Sequence, residues 1–470
     1  YKQASHIDAV ELNPQVVELV NMEFADFTGA LYDHPGVMVH YGEARGFVSA
    51  SSRRYDLIQV ALLDSFSASS AGLYALSENY LYTVEAFAEY LQHLQPVGIL
   101  SITRWTKTPP RDGLKIFATA IAALEQAGIS EPGRHLAMIR SWNTSTLLVK
   151  KEPFSSDAIS SLKSFCQERW FDTVYYPGMT ADEANRYNQL QQPWFFEGAN
   201  HLLGPASAAY MDDYKFNIRP ATDDRPYFSH FLKWRTLPEL LALRERGGMP
   251  MLEWGYLILI ATLVQALLAS FLLVLLPLWL RRRTETRVAG LRWRIMAYFA
   301  AIGTAFMFVE IAFIQKFILF LHHPLYAISV VLCAFLVFAG LGSLMSERWS
   351  KRVSLLGVTT GIGLLSVLYV LLLPGLFNWL LQLPVEFKIP VSVLLIAPLA
   401  FLMGMPFPRG LGIVSDRLPS WIPWAWGING CASVVSAMLA TLLAIHLGFM
   451  FVVFVAVVLY LLSALVLRAL

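Results

Sequence analysis

Two rhythms divide the chain. As far as about Met251, short apolar runs alternate with charged and turn residues; beyond it come apolar stretches with almost no charge. In the first part, His6–Leu12 reads as a strand and Asn13-Pro14 as a helix start, with Asn as N-cap and Pro at the first helical position. Val16, Val17, Val20, Phe24 and Phe27 continue at helical spacing. Strands are expected at Val37–Tyr41 and Tyr55–Leu63, the latter as a buried strand, followed by a helix over Thr83–Leu94 and a strand over Gly98–Arg104. A helix over Leu114–Gln126 and strands over His135–Trp142 and Ser145–Lys150 complete the pattern. Strands alternating with helices predict a mostly parallel sheet covered on both faces, within a domain of residues 1–150. Residues 151–250 have weaker periodicity and read as a soluble extension packing on that domain or on the membrane surface.

Residues 251–470 read as a bundle of seven transmembrane helices. Spans are expected near Glu253–Leu280, Arg294–Leu321, Pro324–Met345, Val353–Pro374, Ile389–Arg409, Pro423–Leu447 and Phe449–Leu467. Each can cross a hydrocarbon core of about 30 Å. Pro374–Leu383 reads as a short interfacial helix carrying Trp379, and Gly404-Met405-Pro406-Phe407-Pro408 must break or kink the fifth span. Ala432, Ser436 and Ala440, like Ser433, Ala437 and Thr441, repeat at a spacing that allows close helix approach.

Composition agrees: 56% of residues are hydrophobic and 15% charged, against about 25% charged in ordinary soluble proteins. A net charge of +2 without an aromatic-basic groove pattern argues against a nucleic-acid partner. Cys166, Cys333 and Cys431 are too scattered for a disulfide framework or a metal site and read as buried, inert thiols. The chain opens at Tyr1 without Met or signal peptide and runs straight into a strand, as though it began inside a domain.

Arg281, Arg282, Arg283, Arg287, Arg292 and Arg294 lie between the first two spans, Arg348, Lys351 and Arg352 between the third and fourth, and Arg409 and Arg417 between the fifth and sixth. Alternate loops carry His322 and His323, or Glu386 and Lys388. The basic loops are therefore expected in the cytoplasm, which places the soluble half outside it if the first stretch crosses; Lys233, Arg235, Arg244 and Arg246 just before that stretch leave open that it does not.

Ligands of parallel α/β sheets bind at the carboxyl ends of the strands. Glu11 and Glu43 follow two such strands, and Asp64 follows a third and opens a Ser- and Ala-rich loop with the length of a lid. A carboxylate in these places can hold ribose hydroxyls or an adenine edge; equally, it can cap a helix or face solvent. Thr222-Asp223-Asp224-Arg225 is either a polar site or a set of pins fixing its segment. Within the spans, Glu310 is a transport or proton-relay candidate, or else a protonated packing acid. Asn429 is a buried amide that needs a partner.

Val10-Glu11-Leu12-Asn13-Pro14, Gly42-Glu43-Ala44-Arg45, and Tyr55-Asp56-Leu57-Ile58 leading to Asp64 and Leu73-Tyr74 resemble the S-adenosylmethionine-binding domain of spermidine synthases. The stretch Tyr214–Phe228 and the spans around Glu310, Gly340–Ser343, Phe401–Arg409 and Trp424–Ser433 resemble bacterial membrane proteins fused to such a domain. The resemblance implies a Rossmann-like S-adenosylmethionine-dependent transferase fold ahead of an all-α bundle in the bacterial inner membrane. It also implies S-adenosylmethionine or its decarboxylated form as cofactor, with Glu11 on the ribose and Glu43 by the adenine. Asp64 would position a small amine substrate. The family's glycine-rich loop would precede His6, and its first central-strand aspartate is Ala61 here, which cannot act as a base. The same resemblance accommodates a catalytically silent subunit docking other subunits of a membrane complex, or a transporter-like protein.

Overall fold

The computed structural model describes residues 4–63, 76, 78–242, 253–280 and 289–468. Two compact units emerge, residues 51–258 and residues 1–50 with 259–470.

The first unit is a mixed α/β structure around a five-stranded sheet. Its strands are β3 (Tyr55–Val60), β4 (Leu94–Trp105), β5 (Leu136–Arg140), β6 (Thr144–Lys150) and β7 (Asp172–Tyr175), in the order β3-β4-β6-β5-β7. Only the β3–β4 pair is parallel within it, so the sheet departs from the mostly parallel one expected. The reason lies at Ser141–Thr144. Ser141 N donates to Thr144 O at 2.8 Å, closing a two-residue connection that folds β6 back antiparallel on β5. β3 is shorter than expected and half exposed, with Leu57 open to the surface, because it forms the edge of the sheet rather than its centre. At Gly98 a Cβ would come within 2.8 Å of Tyr55 O, which explains glycine where β3 and β4 close up beside their register shift.

Two helices form the core against this sheet. Thr83 caps Val84–Gln92, its hydroxyl accepting from Ala86 N at 3.2 Å. Asp112–Gln126 is buried along nearly its whole length, with Leu114, Phe117, Ala120 and Leu124 inaccessible. The segment 151–242 packs on this core through Ser156–Arg169, capped by Ser155, and through Trp194–Leu203, which buries Phe195, Ala199 and Leu202.

The second unit holds β1 (Ile7–Glu11) and β2 (Val37–Tyr41), paired in parallel as a two-stranded sheet of their own. Asn13 caps Pro14–Met22 as expected. That helix stops early, however, and Phe27 lies on a separate turn, Ala25–Thr28, almost fully exposed.

The remainder of this unit is helical, and among the described residues seven helices are long and apolar enough to cross a membrane: Trp254–Leu280, Gly290–Leu321, Pro324–Ser350, Leu355–Leu380, Val385–Arg417, Pro419–Leu447 and Phe449–Leu467. No separate interfacial helix follows Pro374, since Leu355–Leu380 runs through it. The fifth span does break where expected, between Met403 and Pro406. Inside the first span, Ser270–Leu275 widens to a π-helix, and Ser270 O accepts from Cys431 Sγ at 3.8 Å. Cys333 is exposed on the third span, contrary to its reading as buried; Cys166 is buried and Cys431 half-buried.

The third and fifth spans interlock through two glycines. A Cβ on Gly342 would lie 1.9 Å from Phe401 O, and one on Gly404 would lie 2.0 Å from Ala339 O. Neither obstacle is a flexible side chain; both are backbone carbonyls that move only with their helices. Gly342→Ala should therefore lower stability by about 1–3 kcal/mol, the usual scale of overpacking. Thermal unfolding of the purified protein in detergent checks this, with Gly340→Ala, which meets open space, as the harmless comparison.

Candidate functional site

Glu11 and Glu43 stand at the carboxyl ends of β1 and β2, brought side by side by the register that sets Glu11 opposite Tyr41. Their carboxylates serve local backbone. Glu11 Oε1 accepts from Asn13 N at 2.9 Å, shaping the turn before Pro14–Met22. Glu43 accepts from Arg45 N at 3.0 Å and Gly46 N at 2.7 Å, capping the helix Ala44–Ala50. Nearby, Asp8 receives His40 Nε2 at 2.8 Å and His6 Nε2 at 3.0 Å, an arrangement the sequence did not suggest. Asp64 lies outside the described residues.

A second cluster, also unforeseen, occupies the carboxyl end of β4 in the 51–258 unit. Arg104 is the penultimate residue of that strand; Lys107 and Arg111 follow in the connection, and Asp112 and Lys115 open the next helix. Asp112 sits at the centre. Its carboxylate is 3.4 Å from Arg104 Nη2, 3.5 Å from Lys107 Nζ and 3.9 Å from Arg111 Nε. Burial alone would raise the Asp112 pKa, but Lys107, Arg104 and Arg111 together outweigh it and hold the carboxyl below its ordinary range. Burial lowers Lys107 and brings Lys115 down to about 7, against the opposing pull of Glu253 and Asp112.

Aromatic rings line the cations. Arg104 lies over Tyr82 at 4.7 Å and Phe228 at 5.1 Å, Arg111 over Phe216 at 5.2 Å, and Lys115 over Phe231 at 4.9 Å. Lys115 Nζ also donates to His230 O at 2.9 Å and Tyr227 O at 3.3 Å. The segment that supplies these rings is held at its other end by polar pins. Thr83 Oγ1 donates to Asp223 Oδ1 at 2.7 Å, Asp223 N donates to Glu85 Oε2 at 2.9 Å, and Tyr227 Oη donates to Glu78 Oε1 at 3.1 Å. Of the two readings of Thr222–Arg225, the contacts of Asp223 match the pin.

The same segment closes on Glu253. His230 Nδ1 lies 2.9 Å from Glu253 Oε2, Phe231 N donates to Glu253 Oε1, and both side chains are buried. The His230 ring packs on Tyr256 at 4.9 Å and Trp234 meets the same ring at 5.7 Å. One signal for this cluster stood in the sequence: four basic residues within Arg104–Lys115, directly after a strand.

Glu310 is buried in the second span and has no hydrogen-bond or ion-pair partner among the described residues. The buried Tyr460 of the seventh span lies within its electrostatic reach. Asn429 packs elsewhere on the second span. A Cβ on Gly303 would meet Asn429 O at 2.8 Å and its Oδ1 at 2.9 Å, so the sixth span approaches closely there, two helical turns before Glu310.

No protein-family model matches the chain, and no curated protein matches it.

Proposed function

We propose that the chain is a membrane-bound spermidine synthase-like protein that does not transfer aminopropyl groups and instead serves as a structural or docking subunit of a membrane complex. The observation that carries this reading is the β4 cluster. Arg104, Lys107, Arg111 and Lys115 crowd around one central carboxylate, and rings from the 216–231 segment fill the space beside them. Arg104, Arg111 and Lys115 are buried there and engaged by Asp112, by the rings or by backbone carbonyls, so this strand end is packed as a structural core and not as a surface that receives an amine. Ala61 adds to this, because no carboxylate stands there to take a proton from an attacking amine.

Topology supports the same reading. Helix Ala44–Ala50 packs against the turn between the second and third spans, where a Cβ on Gly46 would lie 2.2 Å from His322 Cγ. That turn alternates with the arginine-rich loops, so by the excess of positive charge inside it faces away from the cytoplasm. S-adenosylmethionine is not expected on that side. A transferase acting on another nucleophile is the second reading, favoured by the neighbouring positions of Glu11 and Glu43 on paired parallel strand ends.

Calorimetric titration of the complete protein with S-adenosylmethionine and its decarboxylated form separates the two. The docking-subunit reading expects no saturable heat at millimolar ligand; a saturable isotherm lost in Glu11→Ala or Glu43→Ala would replace it with the transferase. Protease accessibility at the exposed Asp182 in sealed vesicles tests the side independently.

A further inference from the structure

One end of the helical bundle brings together Lys388, His322 and His323. Lys388, near the start of the fifth span, is buried to 2% exposure, although its neighbour Glu386 is exposed. Its ammonium lies 5.4 Å from the centre of the Phe320 ring, and among the described residues it has neither a hydrogen-bond acceptor nor an ion-pair partner. An ammonium on a buried side chain, beside a ring and with no acceptor among the described residues, is short of a counter-anion.

The turn joining the second and third spans lies beside it. His322 adopts a left-handed backbone, φ 53°, a conformation uncommon outside glycine and taken most often by Asn, Asp and His among the other residues. That conformation sets its ring against the helix Ala44–Ala50 at Gly46. Its Nε2 is buried without a hydrogen-bond partner, as is Nδ1 of the adjacent His323, whose ring stacks on Tyr326 at 4.3 Å. Burial, with the positive charges of Lys388 and Arg45 close by, lowers the His322 pKa to about 3, so its imidazole is neutral and presents one N–H donor.

We propose that Lys388, His322 and His323 form a binding site for a phosphate-type oxyanion, with Arg45 adding to the local positive potential. The ammonium supplies the charge and the imidazoles supply hydrogen bonds, and a single tetrahedral oxyanion has enough oxygens to engage all of them. Such an anion comes either from a lipid headgroup at the membrane boundary or from solution. The site rests on the helical unit and does not depend on the synthase-like reading.

The experiment uses the full chain purified in detergent with two probes. Inorganic phosphate is titrated by calorimetry, and retention of phosphatidylglycerol against phosphatidylcholine is read by native mass spectrometry. Saturable phosphate binding identifies a soluble anion, and selective retention of phosphatidylglycerol alone identifies a headgroup. In either case Lys388→Met should weaken binding at least about tenfold, the scale on which a charge-assisted hydrogen bond contributes, and Lys388→Arg should largely restore it. Lys351→Met, in the basic loop between the third and fourth spans, should change nothing. His322→Asn, which suits the left-handed backbone, carries the test if Lys388→Met does not fold. The proposal is overturned if neither probe binds, or if Lys388→Met and His322→Asn bind as the unaltered protein does.

Discussion

Glu253→Ala should destabilise the 51–258 unit by about 3–5 kcal/mol, the range seen when one member of a buried charged pair is removed. The carboxylate accepts from both the His230 ring and Phe231 N, and it helps to balance the buried Lys115 ammonium. Its loss strands one buried backbone N–H and one imidazole nitrogen together. The consequence should spread along the segment, because His230 O and Tyr227 O are the acceptors for Lys115 Nζ. Urea unfolding followed by tryptophan fluorescence reads it, since Trp234 packs against the same Tyr256 ring as His230. Glu253→Gln keeps one acceptor oxygen and should fall between the two. A midpoint for Glu253→Ala equal to that of the unaltered protein would show that the contact carries no weight.

Asp172→Ala is expected to cost a similar amount, about 3–5 kcal/mol, for a related reason. Asp172 Oδ2 lies 3.0 Å from Arg140 Nη2, and the carboxylate also accepts from Tyr187 N and Asn188 N, each at 2.8 Å. One side chain at the start of β7 thus anchors both a guanidinium on β5 and the irregular loop after Ala181–Glu183. The alanine variant leaves Arg140 buried with carbonyl and amide oxygens of Asn188 and Asn185 but no counter-charge. Limited proteolysis should then cut near Arg186 markedly faster than in the unaltered protein. Asp172→Asn, which retains an acceptor for one of the two N–H groups, should protect the loop in part.

The membrane half was the more legible one, and the bilayer explains why. A span must be apolar along its whole length, so seven runs could be counted without any knowledge of their neighbours. The unforeseen details there concern proline. Pro374 lies inside a continuous helix because nearby groups can satisfy a freed carbonyl, whereas Pro406, after Gly404, ends one helix and starts another. In the soluble half, local signals were reliable: Asn13 and Thr83 cap their helices, and β2 falls on its expected residues. Strand direction was legible only in the connection, whose shortness excludes a parallel crossover. Nothing in the apolar pattern of β5 and β6 distinguishes a hairpin from a crossover, and the deciding feature is the Ser141–Thr144 turn.

The candidate site was legible at Glu11 and Glu43 as positions but not as chemistry, since their occupation by backbone N–H groups depends on the turn each follows. The β4 cluster was hidden for a different reason. Its burial comes from Phe216, Phe228 and Phe231, more than a hundred residues further along the chain, and no window around Arg104 contains them.

The break in the fifth span has a mechanical consequence. Gly404, the first residue beyond the helix Val385–Met403, is seated against Ala339 O, and Phe401 O is seated against Gly342 on the same partner helix. The far side of the joint is held as well: Tyr298 donates to Pro406 O at 2.6 Å, Arg409 Nη1 donates to Val353 O at 2.9 Å, and a Cβ on Gly410 would lie 2.2 Å from the Tyr298 ring. The broken span is thus pinned on both sides of its break, and bending there drags the second and third spans with it.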